Sequence, residues 1–178
     1  VLRSWESAIE GRVYPEIDQA RYGKYPYMPD QPLYVAWDFG LDGTSVGWFQ
    51  DDKDGRPRLV DSYHNDDQPV QFFFPLFGQP IDSTFTYTRE DLDAFARTSK
   101  FKKAIHYGDP DVAKRAYQDK DKTSTRQELE KVGIYVQTKP EANDFHTRRE
   151  KTKVLLQRGV DVNETPGNEY FMEAIKMA

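Results

Sequence analysis

The chain has 178 residues, a formal net charge of −5, 14% aromatic residues and no cysteine. That length suits one domain with a sizeable core, and the missing cysteine excludes disulfides, thiolate metal sites and a thiol nucleophile. No apolar run approaches the roughly 20 residues that cross a bilayer, and Val1-Leu2-Arg3-Ser4-Trp5-Glu6 lacks the layout of a signal peptide. The sequence therefore reads as that of a soluble intracellular protein. It starts without a methionine inside an apparent amphipathic segment, as a piece of a longer polypeptide would. Charge is uneven: residues 1–95 carry 8 basic and 17 acidic side chains, residues 96–178 carry 17 and 13. The total argues against a general nucleic-acid binder, yet the second half has room for a basic face.

In chain order, residues 1–32 read as a connector: a short helix around Ser4 to Glu10, then Gly11, Pro15, Gly23, Pro26, Pro29 and Pro32, whose fixed φ angles oppose long regular elements. Leu33 to Phe39, Thr44 to Gln50 and Pro57 to His64 are short, rich in β-branched and aromatic residues, and separated by turn signals, which predicts an antiparallel three-stranded meander. Residues 65–100 read as helix, loop, helix, with Phe72-Phe73-Phe74 packed on the sheet and a capping-box spacing at Thr88-Arg89-Glu90-Asp91. Strands and helices then alternate: strand Lys103 to Tyr107, helical segments Val112 to Tyr117 and Ser124 to Val132, strand Ile134 to Thr138, helix Asn143 to Gln157, strand Val160 to Val162, helix Asn168 to Ala178. A meander followed by this alternation predicts an α/β fold, a mixed sheet with helices on both faces and domain boundaries of 1–32 and 33–178.

Sites in such sheets form beyond the carboxyl ends of the strands. Asp38 closes the run Leu33 to Asp38 and Asp109 closes a similar run, Ala104 to Asp109. A carboxylate at the mouth of a buried strand suggests a bound cation, and two on neighbouring strands suggest a shared one. Each also has a bland reading, a turn residue before Gly40 for Asp38 and an N-cap before Pro110 for Asp109. Oxygen donors without cysteine favour magnesium or manganese, and two such ions about 3.5 to 4 Å apart can activate water against a phosphodiester. Asp42 and Asp111 lie near these acids and are possible supplementary ligands, or simply a hairpin residue and a first-turn acid. His64, His106 and His146 show no metal-ligand spacing and receive no role. The stretch His146 to Leu156 carries Arg148, Arg149, Lys151 and Lys153, with Arg158 just beyond, on a predicted helix able to touch DNA phosphates or to serve as a solvated face.

Five motifs in order, Trp5-Glu6 with Gly11-Arg12-Val13-Tyr14, Ala36 to Ser45, Tyr107-Gly108-Asp109-Pro110, the basic helix ending in Leu155-Leu156, and Asn168 to Ile175, resemble the C-terminal nuclease domain of the large terminase subunit of tailed bacteriophages. The resemblance implies an RNase H-like fold that cuts double-stranded DNA during genome packaging in the cytoplasm of an infected bacterium. It implies Mg2+ or Mn2+, two ions in the complete site, held by Asp38 and Asp109, with Asp42 as an additional acid. It also implies an upstream ATPase domain in the same polypeptide, joined through residues 1–32, and portal and small terminase subunits as partners; the isolated domain is expected to be a monomer, with no membrane involved. The family's third acid lies in a segment that this chain does not reach before Ala178; Glu173 and Asp161 are the substitutes within it, out of the family's order. A different class, the sugar-kinase and actin-like ATPases, is resembled by Asp38-x-Gly40 followed by Thr44-Ser45, though the second glycine-rich loop is missing. A third reading is a DNA-gripping or motor-docking module that does not cut.

Overall fold

The hydrophobic alternation of the meander becomes three long strands, and four shorter ones extend the same sheet. The structure, a computed structural model, describes residues 15–40, 43–113, 123–138 and 145–177. The helix expected at Ser4 to Glu10, residue Asp42 and the second half of the helix expected over Val112 to Tyr117 lie outside the described residues.

Among the described residues the strands are β1 (Arg21–Gly23), β2 (Tyr34–Phe39), β3 (Gly43–Asp51), β4 (Pro57–Asp66), β5 (Ile105–Gly108), β6 (Val136–Gln137) and β7 (Asp161–Asn163). They form one sheet in the order β1-β7-β4-β3-β2-β5-β6. Only β3 is antiparallel to its neighbours; all other pairings are parallel, so the other six strands end on the same side. A bulge between β3 and β4 sets Trp48 opposite Asp61 and Phe49 opposite Leu59, leaving Val60 as the extra residue.

Alternation decides which face is covered by what. Val35, Trp37, Val46 and Trp48 point into the larger core, against Phe72, Phe73, Leu76, Ala94, Phe95 and Leu129. Those residues come from a 3-10 helix, Val70–Phe77, and from helices α1 (Arg89–Thr98) and α2 (Thr125–Lys131). The expected capping box at Thr88 and Asp91 is present, and Ser124 with Gln127 forms a second. Burying each such aromatic is worth about 1.5–3 kcal/mol. The opposite face carries a smaller core of Ile17, Leu59, Leu156, Val160, Val162 and Met172, supplied partly by helices α3 (Phe145–Gln157) and α4 (Pro166–Met177).

Several expectations need correction. The connector does not stay outside: from Pro15 on it contributes a 3-10 helix that buries Ile17, and β1, which pairs with β7. Three residues of edge strand leave too little pattern to read against the surrounding prolines. The first helix expected in 65–100 is a 3-10 helix, since Pro75 within it opposes α-helical bonding. The strand expected over Ile134 to Thr138 is only Val136–Gln137. The last helix starts two residues early, at Pro166, with the Thr165 hydroxyl accepting from the Asn168 amide at 3.2 Å.

Candidate metal centre at the strand tips

β2 and β5 are parallel neighbours, registered from Tyr34 opposite Ile105 to Trp37 opposite Gly108. One further step brings Asp38 opposite Asp109, on strands about 5 Å apart. Trp37 is buried in the larger core, so Asp38, next along the strand, is exposed on the other face. Asp109 is half-buried, and its carbonyl accepts from the Val112 amide at 3.0 Å, closing the 3-10 turn Pro110–Ala113. The N-cap reading of Asp109 is thus true of its backbone position and compatible with a side chain at the strand mouth.

The face that carries Asp38 is unevenly covered. α4 packs along β4: Gly167 lies so close to Ser62 that an added Cβ would overlap the Ser62 carbonyl oxygen, and Tyr170 stacks on His64 with ring centroids 5.5 Å apart and planes at 14°. Asp61 fixes this helix from inside the sheet, accepting from Thr165 Oγ1 at 2.8 Å and from Arg97 Nε of α1 at 2.9 Å. Beyond β4, Ala36 is exposed and Ser45, Gly47, Tyr34 and Tyr107 are half-buried, so among the described residues no helix covers the β3-β2-β5 part of this face. This face carries the small residues Ala36 and Ser45 beside the Tyr34–Tyr107 ring pair, 6.4 Å apart.

Three residues form a cross-strand row on that face, Asp38 opposite Ser45 and Ser45 opposite His64, with Asp109 at its open end. Ser45 Oγ lies 2.8 Å from His64 Nδ1, and His64 Nε2 lies 2.7 Å from Asp66 Oδ1. Gly43 leaves room for this: an added Cβ would sit 2.5 Å from Asp66 Oδ1 and 2.8 Å from the His64 ring. His64 lacks metal-ligand spacing in the sequence; the meander's pairing of Thr44–Gln50 with Pro57–His64 is the signal that places Ser45 against it.

The remaining predicted residues separate. Asp42 and the side chain of Asp111 lie outside the described part. Asp161 is not brought to the acid pair: it faces Arg58 at the start of β4, the end of the sheet away from Asp38, and its side chain is only 2% exposed. There it accepts from Arg21 Nε at 2.7 Å and Arg56 Nε at 2.8 Å. Burial pushes its pKa up, but the Arg21 hydrogen bond and the charges of Arg56 and Arg21 outweigh that and hold it below the usual carboxylate range. Glu173 is exposed on α4, one turn beyond both Tyr170 and Glu169, whose carboxylate lies 3.4 Å from the Tyr22 hydroxyl on β1. Among the described residues no group of three or more acids or histidines is placed to hold a metal.

The basic residues divide along α3. Arg158, Gly159 and Val160 join this helix to the start of β7, at the end of the sheet away from Asp38, and its 13 residues span about 20 Å. Arg148 and Arg149 lie in the first turns, with side chains outside the described part; Lys151 is exposed, Lys153 lies 3.6 Å from Glu150, and exposed Arg158 lines a cavity with Arg21, Arg56, Asp52 and Asp54 at the far end. Of the residues in the kinase-like reading, Thr44 is buried and the Ser45 hydroxyl lies 2.8 Å from His64 Nδ1. His106, on the larger-core face, accepts from Trp37 Nε1 at 3.1 Å, and burial pushes its pKa down to about 4.

The crystal structure of the large terminase nuclease from thermophilic phage G20c superposes with a TM-score of 0.56 over 92% of this chain and 79% of that one, at 13% identity. The fold is that of a large-terminase nuclease. The large terminase from thermophilic bacteriophage D6E, solved with ADP, gives a TM-score of 0.53 at 19% identity over 90% of this chain, which spans only 37% of the D6E chain. The RNase H-like arrangement expected from the sequence is thus the observed one, a mixed sheet with helices on both faces. No protein-family model matches the sequence, and no match to it was found among curated proteins. No described helix is long and apolar enough to cross a membrane.

The donors at the strand tips suit a hard divalent cation. Magnesium is commonly held by one or two carboxylates with water completing its shell, a donor type that Asp38 and Asp109 share. Among the described residues Asp38 has no ion pair, in contrast to Asp161.

Proposed function

We propose that the chain is the metal-dependent endonuclease domain of a phage packaging motor, cutting double-stranded viral DNA by water attack on a phosphodiester. The observation that supports this reading is the parallel pairing of β2 and β5, the strands that lead into Asp38 and Asp109, in a chain that shares the fold of a large-terminase nuclease. Asp38 and Asp109 would hold Mg2+ or Mn2+, which supplies an acidified water and offsets charge on the phosphate. The small residues Ala36 and Ser45 let a DNA backbone approach the acids closely, and the basic residues of α3 would add sequence-independent attraction. An upstream ATPase domain in the same polypeptide, portal and small terminase subunits, and the cytoplasm of an infected bacterium complete the reading.

The test is manganese-stimulated nicking of supercoiled plasmid. Asp38→Asn and Asp109→Asn are each expected to abolish it while leaving the fold intact by circular dichroism, and cutting at the parental rate by either variant would refute the assignment. A gripping module that does not cut is favoured by one observation, that among the described residues only two acids converge; DNA binding without nicking under any divalent metal would select it.

A further inference from the structure

Resting on the nuclease reading, we infer that Ser45, His64 and Asp66 form a proton relay that drains the proton of the attacking water, with Ser45 as the catalytic residue and His64 and Asp66 as positioning residues behind it. The direction of the chain follows from donor and acceptor types. The Asp66 carboxylate only accepts, so the His64 nitrogen 2.7 Å from it carries its hydrogen. In the tautomer that carries its one hydrogen there, Nδ1 accepts from the Ser45 hydroxyl at 2.8 Å, which leaves the Ser45 oxygen lone pairs to receive a proton. Ser45 is the direct cross-strand neighbour of Asp38, about 5 Å away, whereas His64 is two strands from it. The ring is held on three sides, by Ser45, by Asp66 and by the stacked Tyr170, and Gly43 keeps clear the space that it and Asp66 occupy. Asp66 itself is 70% exposed, so the far end of the chain opens to solvent.

In the step, an O–H bond of water breaks as its oxygen bonds to phosphorus. The released proton passes to Ser45 Oγ while the Ser45 proton moves to His64 Nδ1, and the imidazolium is stabilised by Asp66. The P–O3′ bond breaks with its electron pair leaving on O3′, which takes a proton from solvent, and His64 returns its extra proton to solvent. This uses the hydrogen-bond logic of a serine, histidine and aspartate triad, but the serine oxygen passes a proton and forms no bond to phosphorus.

A purely structural role is the competing account, since Tyr170 on His64 also docks α4. The deciding experiment measures manganese-dependent nicking, DNA affinity and thermal midpoint for the parent, Ser45→Ala, His64→Ala and Tyr170→Ala, each with and without added imidazole. Loss of general acid–base assistance typically costs 10²–10⁴-fold, so Ser45→Ala and His64→Ala are expected to slow nicking about a hundredfold with DNA affinity unchanged. Imidazole should restore at least tenfold to His64→Ala and nothing to Ser45→Ala. Parental rates in either variant, or a loss in His64→Ala that imidazole leaves untouched and Tyr170→Ala matches, would overturn the relay. If the parent itself does not nick, or Asp38→Asn nicks as the parent does, the nuclease reading fails and the relay falls with it; a nicking parent that depends on Asp38 but not on His64 refutes the relay alone.

Discussion

The two ends of the sheet treat aspartate in opposite ways. At one end Asp161 is buried and takes hydrogen bonds from Arg21 and Arg56; at the other Asp38 is exposed, without an ion pair among the described residues, beside a second acid on the next strand. Arginine neutralises the first carboxylate permanently, so its charge serves the fold. Asp38, with no ion pair among the described residues, keeps an exposed negative charge, the feature that would separate a candidate cation ligand from a structural ion pair. Sequence context alone does not separate these roles, because both acids sit at strand ends; the difference lies in what distant residues, at positions 21 and 56, deliver to each.

That contrast can be broken most sharply by parallel substitutions. Asp38→Asn should reduce manganese-stimulated nicking by at least a thousandfold, the scale expected when metal-held charge is lost from a phosphoryl-transfer site, whereas Asp161→Asn should leave the nicking rate of the folded protein near the parental value. Equal losses in the two variants at matched folded fraction would erase the distinction. The next effect is on stability against pH. His106 is buried and neutral, with its pKa near 4 in the fold against about 6.5 in the unfolded chain, so the unfolded state binds the extra proton first. Stability is therefore full above about pH 6.5 and falls as pH drops toward 4, by about 3 kcal/mol for that difference. Urea midpoints across this range should show the slope, and His106→Asn should flatten it.

Asp161 acts in a lower window. Its folded pKa is depressed, so its contribution is present above the unfolded carboxylate value near 4 and disappears as pH falls through the folded one. Asp161→Ala should cost about 1–3 kcal/mol near neutral pH, the range for hydrogen bonds to a charged group, because the half-exposed Arg21 and Arg56 regain water when it is removed. The smallest effect concerns α3: Arg148→Ala with Arg149→Ala should lower the slope of log DNA affinity against log salt by about 0.9 per lost phosphate contact. Arg158→Ala, at the arginine-rich far end, should leave the slope unchanged if DNA lies only along the Asp38 end.

The meander and the strands that lead into Asp38 and Asp109 were legible in the sequence, because period-two runs of bulky residues bounded by turn signals specify a strand and its face locally. What was illegible depended on partners far along the chain. β1 is three residues that pair only with β7, and Ile17 becomes core only when Leu156 and Met172 arrive. Asp161 followed a basic helix and looked available, but nothing local announced Arg21 and Arg56. The row from Asp38 to His64 lay between these extremes: hairpin pairing predicts it approximately, yet only the register makes Ser45 the neighbour of both.

The most direct measurement is a crystal soaked in manganese and mapped by anomalous scattering. The account predicts a manganese peak about 2 Å from a carboxylate oxygen of Asp38 and also of Asp109, as hard cations with oxygen ligands require. A well-ordered site with no peak there, or a peak bound by only one of the two acids, would contradict it.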